Sequence, residues 1–189
     1  MKNFNVVSSY ISDSFRSLPV TFFYIQLLNL VINPSKSFFY DIMFIFFGGW
    51  INSLFKKIAR TIYNKLNVKS LPLIGIGERP KGAYGCSSFL SVNDIKNETL
   101  SSSYGMPSGH SQLAWLIIGY YGYDIFYSNS PFRDMQLSLL ILFGLTMAYM
   151  RTKVEGCHTI GQVIVGAIIG LLMGIIGKFI KKKYFRKYL

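Results

Sequence analysis

Two histidines, three basic residues and a glycine-rich turn are the groups in this chain best suited to chemistry. His110 stands in YGMPSGHSQLAWL (104–116), where a polar run passes directly into an apolar one. His158 stands in CHTIGQV (157–163), with six residues between it and Arg151. Arg79 lies in the cluster GIGERPKGAYGC (75–86), and Lys56 closes an apolar stretch. The sequence has two histidines in all, and its eight acidic residues are scattered. Scattered carboxylates cannot build the oxygen cage of magnesium or calcium, and two histidines with two isolated cysteines make a poor zinc site. No metal and no cofactor is therefore expected. Cations and imidazoles around an anion remain, and that is phosphate chemistry.

Each residue type has a use there. Arginine offers a bidentate fork to phosphate oxygens, and lysine adds a point charge. Ser108, Gly109 and His110 put backbone N–H groups at a helix start, where the helix dipole favours an anion. Pro107 suits a chain entering a helix. A neutral imidazole can attack phosphorus, and a protonated one can give its proton to the leaving oxygen. Without carboxylate-held metal, basic residues must stabilise the transferring phosphoryl group.

These residues sit on an apolar scaffold. The chain has 189 residues, one domain's worth, of which 51% are hydrophobic, and carries a formal net charge of +12. That charge suits a phosphorylated ligand or an anionic membrane surface, while the apolar content argues against a nucleic-acid partner. Four or five stretches approach the roughly 20 residues that span a bilayer. They are 18–33, the weakest because of Gln26 and Asn29, then 38–55, 111–128, 135–150 and 159–180. The expected fold is an all-α integral membrane bundle of about five spanning helices, with 1–189 as a single domain. The polar first seventeen residues lack the apolar core of a cleavable leader, and the mildly amphipathic SSYISDSF (8–15) reads as an interfacial helix. Gly166, Gly170 and Gly174 fall on one face of the last span, where a neighbouring helix can approach closely.

Topology then brings the polar groups together. The long loop 61–107 holds no run able to cross, and the chain spans twice between His110 and His158. Lys56, Arg79, His110, Arg151 and His158 thus share one membrane face. Six basic residues between Lys178 and Lys187, in the tail 178–189, argue for a cytoplasmic C-terminus. The site then faces the lumen or exterior, as does the sequon Asn97-Glu98-Thr99. Cys86 and Cys157 fall on the same face, where an oxidising compartment would allow them to pair.

RP (79–80), PSGH (107–110) and Arg151 with His158, in that order and each beside a span, resemble the three motifs of the type 2 phosphatidic acid phosphatase (PAP2) superfamily. The resemblance covers roughly residues 48–175. YGMPSGHSQ and CHTIGQV are more specifically similar to the dolichyl diphosphate phosphatase branch. The resemblance implies that Lys56, Arg79 and Arg151 bind phosphate, with Ser108 and Gly109 donating to it. It implies His110 as general acid and His158 as the nucleophile that forms a phosphohistidine. The implied activity is metal-independent hydrolysis of a polyprenyl diphosphate in an endoplasmic-reticulum-type membrane, if the host is eukaryotic. A phosphatidate or glycerolipid phosphatase is the alternative enzyme, and a non-catalytic anionic-lipid-binding protein is the alternative class.

Three departures from the family pattern stand out. Pro72 occupies the place of the usual first-motif lysine. Asn52 and Lys56 match the family's N-x-x-x-K helix pattern, and Lys57 or Lys69 are the other candidates for that charge. The Arg151–His158 spacing is one residue longer than usual, which a bulge at the helix end would absorb. Gln162 replaces the aspartate that orients the nucleophilic histidine. Its carbonyl can fix the imidazole tautomer but brings no charge, which Glu155 is close enough in sequence to supply.

Overall fold

A computed structural model describes residues 2–72, 74–83, 86 and 104–184. The sequon at Asn97, much of the long loop and the last five residues of the tail lie outside them. Five long helices dominate the described residues: α1 (Lys2–Ile32), α2 (Lys36–Lys65), α3 (Gly109–Phe126), α4 (Arg133–Tyr149) and α5 (Ile160–Tyr184). A two-stranded antiparallel hairpin, β1 (Ser70–Leu71) with β2 (Gly75–Ile76), follows α2, with Ser70 opposite Ile76.

Three helical segments are long and apolar enough to cross a membrane: Lys36–Lys65, Arg133–Val154 and Ile160–Tyr184. The other two fall short for visible reasons. α3 opens on the polar Gly109-His110-Ser111-Gln112, and the apolar part of α1 is confined to Val20–Ile32. α1 also differs from the expected interfacial helix followed by a separate span, because it is one continuous helix. The outer surface suits lipid: Phe47, Trp50, Leu142, Leu145, Ile168 and Leu172 are each more than half exposed. Such a surface would be costly in water.

The centre of the bundle is the α3–α5 contact. Glycines 166, 170 and 174 of α5 lie against main-chain oxygens of Ser108, Gln112 and Leu116 on α3. A Cβ at Gly166 would stand 2.5 Å from the Ser108 oxygen, so any side chain there would force the helices apart. The close approach read from the glycine spacing is therefore real, and its partner is the helix that carries His110. Gln112, fully buried on α3, ties in α2 by donating to the Gly48 carbonyl at 3.0 Å and accepting from Asn52 Nδ2 at 2.8 Å.

Candidate active site

α3 and α5 begin at the same end of the bundle, and a main-chain bond joins their starts. Ser108 N donates to the Gln162 carbonyl at 3.0 Å, while Ser111 Oγ donates to the Val163 carbonyl at 2.8 Å. His110, the second residue of α3, is thereby held beside the segment that carries His158, and both rings are buried. Gly109 packs on Asn52 of α2, where a Cβ would meet Oδ1 at 2.9 Å. Ser108 is the N-cap of α3, yet its hydroxyl makes no capping bond. That Oγ is buried without a hydrogen-bond partner among the described residues. A buried hydroxyl in that state is costly unless a ligand completes it.

The hairpin delivers Arg79. Tyr63 OH donates to the Gly75 carbonyl at 2.8 Å, and Gly161 of α5 is pressed against the Ile74 carbonyl, where a Cβ would collide. The backbone after β2 then crosses the start of α5. Arg79 Nη1 donates to the Cys157 carbonyl at 2.9 Å and lies 3.2 Å from His158 Nε2. Burial, and then the neighbouring Arg151, lower the Arg79 pKa to about 10, which still leaves it charged at neutral pH.

The tautomer of His158 follows from Gln162. The Gln162 amide nitrogen faces two carbonyls, Ile76 at 2.9 Å and Glu78 at 2.5 Å, and must donate to both. Its Oε1 therefore faces His158 Nδ1 at 3.0 Å and also accepts from Thr159 N at 3.2 Å. An amide oxygen only accepts, so Nδ1 carries the proton and Nε2 presents its lone pair towards Arg79. Burial, then Arg79, Arg151 and Lys56, hold the His158 pKa well below the ordinary histidine range, and the Gln162 bond only partly opposes them. The ring is neutral at pH 7. A neutral imidazole with a fixed Nδ1–H has Nε2 as its nucleophilic nitrogen.

Arg151 is fully buried where α4 ends. It forms an ion pair with Glu155 and donates through Nη2 to the Cys86 carbonyl at 2.9 Å. The helix does not stop cleanly there. Residues Met150–Val154 form a π-helical turn, with Glu155 N donating to the Met150 carbonyl at 2.9 Å. Gly156 follows at φ 61°, and the Arg151 carbonyl accepts from both Cys157 N and His158 N at 3.1 Å. A π turn accommodates one residue more than an α turn, which is where the longer Arg151–His158 spacing goes.

A family model described as the PAP2 superfamily matches residues 42–186. The chain belongs to the PAP2 superfamily. No curated protein and no solved structure matches it. The PAP2 match runs from Ile42 within α2 through α5, and so includes every candidate site residue named from the sequence.

Among the described residues, the candidates named from the sequence lie at this end of the bundle, with one exception in the contact expected of it. Arg79, His158, Gln162, Ser108 and Arg151 form one hydrogen-bonded cluster, with Gly109 and His110 at its α3 edge. Among the candidate lysines, Lys56 is half-buried and donates to the Tyr104 carbonyl at 2.6 Å, beside the turn into α3. Lys57 and Lys69 are exposed. The exception is Glu155. It pairs with Arg151, and the group facing His158 Nδ1 is the Gln162 amide oxygen. An i, i+4 pair across the π turn was geometrically closer than a reach around Gly156. Sequence reasoning missed Gln112, whose amide joins α2 to α3 directly beneath the PSGH turn. A polar side chain one turn into an apolar helix was the available signal.

Proposed function

We propose that the chain hydrolyses a lipid phosphate or diphosphate through a phosphohistidine on His158, without a metal ion. The PAP2 superfamily implies phosphatase chemistry on lipid-type substrates. The observation that carries the finer reading is the line Gln162–His158–Arg79. It supports an attacking Nε2 with its tautomer fixed on one side and a phosphate-binding guanidinium on the other.

In this mechanism Arg79 turns from Nε2 to the incoming phosphate, alongside Arg151 and Lys56. Nε2 forms a bond to phosphorus as the bond to the leaving oxygen breaks, and His110 gives that oxygen its proton. Water, deprotonated by His110, then cleaves the P–N bond and releases inorganic phosphate. Ser108 Oγ and the amide of Gly109 donate to the phosphoryl oxygens, which supports the choice of so constrained a turn at the start of α3.

The substrate proposed is a polyprenyl diphosphate. The residues around both histidines support that choice over phosphatidate through their similarity to the dolichyl branch. Its tail would lie in lipid against the apolar outer helices while its phosphates reach the bundle end. The site is proposed to face the lumen or exterior, with the C-terminus cytoplasmic. The basic tail supports this orientation, as does a disulfide on the same face as the site.

The deciding experiment is phosphate release by the purified chain in EDTA, from a polyprenyl diphosphate and from phosphatidate. EDTA-resistant release that disappears in His158→Ala supports the histidine mechanism, and the preferred lipid names the substrate class. A folded wild type that releases nothing from either lipid would instead favour the lipid-binding reading.

A further inference from the structure

The cysteines lie outside the chemistry just described, yet they touch it twice. Cys86 and Cys157, 71 positions apart in sequence, form a disulfide with their Cα atoms 5.6 Å apart. Both are buried, in a small apolar cluster with Ala83. The carbonyl of Cys157 accepts from Arg79 Nη1, and the carbonyl of Cys86 accepts from Arg151 Nη2, each at 2.9 Å. Each half-cystine thus supplies, from its own main chain, a hydrogen-bond acceptor for one guanidinium.

We propose that the Cys86–Cys157 disulfide is a clamp that sets Arg79 and Arg151 at phosphate-binding separation, making both cysteines positioning residues. The inference rests on the reading of these arginines as phosphate ligands.

Two guanidiniums in one buried site repel each other, and the effect is visible in the lowered pKa of Arg79, to which Arg151 contributes after burial. A pair of like charges relaxes by separating unless the backbone prevents it. The backbone of Arg151 is already fixed, since its carbonyl accepts from Cys157 N and His158 N at the π turn. The long loop that carries Arg79 and Cys86 is anchored ahead of Arg79 by the hairpin and the Gln162 bonds. Beyond Arg79, the disulfide is the covalent tie that returns the loop to the α4–α5 connection. It joins that connection at the residue before His158. Opening it removes the tie between the two carbonyls that aim the guanidiniums, while the α3–α5 contact is untouched.

The test measures affinity for inorganic phosphate and for orthovanadate, by thermal shift of the full chain in detergent. It compares oxidised wild type, wild type reduced with a water-soluble phosphine, and the double variant Cys86→Ser/Cys157→Ser. The phosphine becomes its oxide, taking oxygen from water and delivering two electrons that yield two thiols, which a maleimide mass shift counts. Phosphate affinity is expected to fall roughly tenfold or more in the reduced and double-variant proteins, with helical circular dichroism retained. Where lipid turnover is present, the loss should fall on KM more than on kcat. Equal affinity in oxidised and fully reduced protein overturns the clamp. Collapse of the helical signal on reduction also overturns it, since the bond would then hold the fold as a whole. Oxidised protein that binds phosphate more tightly than reduced protein but turns over no lipid upholds the clamp and sinks the hydrolytic reading. No phosphate binding in any state overturns both.

Discussion

The two ends of the bundle handle buried positive charge in opposite ways. At the end away from the site, Lys181 meets Asp41 at 2.6 Å, and Asp124 takes Lys178 at 2.5 Å and Lys182 at 3.0 Å. Tyr120 adds its hydroxyl to Asp41, and the Lys178 ammonium sits 4.7 Å from the centre of the Tyr120 ring. Every one of these lysines touches a carboxylate. At the site end, among the described residues, Lys56 rests on the Tyr104 carbonyl, Arg79 on the Cys157 carbonyl, and Arg151 takes the Glu155 carboxylate as well as the Cys86 carbonyl. A carbonyl satisfies an N–H without cancelling its charge. At His158, burial first and then Arg79, Arg151 and Lys56 hold the ring pKa well below the ordinary histidine range. One end is closed by its own ions, and at the other the proposed phosphate would supply balancing charge.

The sharpest break in that contrast is His158→Ala. Removing the proposed nucleophile should lower turnover by about 10⁴-fold or more, because the phosphoryl group then has no acceptor but water. Single-turnover phosphate release, with trapping of a phosphorylated protein intermediate in wild type, measures it. Next come the cations. Arg79→Gln or Arg151→Gln should each cost roughly 10²–10³-fold in kcat/KM, the scale of losing one stabilising donor in a water-poor site. Arg151→Gln carries a second effect, since it strands the buried Glu155. Arg79→Gln is therefore the cleaner test, and a change under tenfold would remove Arg79 from the phosphate site.

The far end should respond in stability and not in catalysis. Asp41→Asn leaves Lys181 buried beside an uncharged partner and should destabilise the chain by on the order of 3 kcal/mol. Thermal unfolding in detergent reads this, and Asp41→Asn with Lys181→Met should recover much of the loss. Below the unfolding temperature, kcat/KM of Asp41→Asn should match wild type. A matching fall in kcat/KM would mean that the two ends are coupled.

The site was legible in sequence because its residues are bound to motifs with fixed spacing, whereas the far end has no motif. His110, Arg79, Arg151 and His158 could be placed at one end of the bundle by counting helices, and Gln162 by its position one turn after His158. Which lysine lies near them depends on which way α2 turns, and burial together with the bond to the Tyr104 carbonyl separates Lys56 from its neighbour Lys57. The sequence pattern does not join Asp41 and Asp124 to Lys178, Lys181 and Lys182, because those lysines read as part of the basic tail. α5 in fact continues to Tyr184. The spacing of the three lysines, i, i+3 and i+4, was the signal that they share one inward face. Glu155 was misread for a related reason. Proximity in sequence to His158 said nothing about the π turn that aims it at Arg151.

The finest distinction concerns Gln162, which departs from the family's aspartate at the centre of the site. Gln162→Ala removes the acceptor for Nδ1 and the donor to Ile76 and Glu78, and should lower kcat/KM by about 10–100-fold. Gln162→Asp restores a charge beside Nδ1 but repels the same two carbonyls, so its effect on rate at neutral pH should be smaller still. Its pH profile is more informative than its rate. In wild type the His158 pKa is depressed, so the nucleophile stays neutral as pH falls through the ordinary histidine range, and the acid limb lies below it. An aspartate at position 162 favours the imidazolium and raises that pKa. The acid limb of kcat/KM should then move to higher pH, with no comparable shift in Gln162→Asn. An unmoved limb in Gln162→Asp would mean that a group other than His158 sets it, and would detach the low histidine pKa from catalysis.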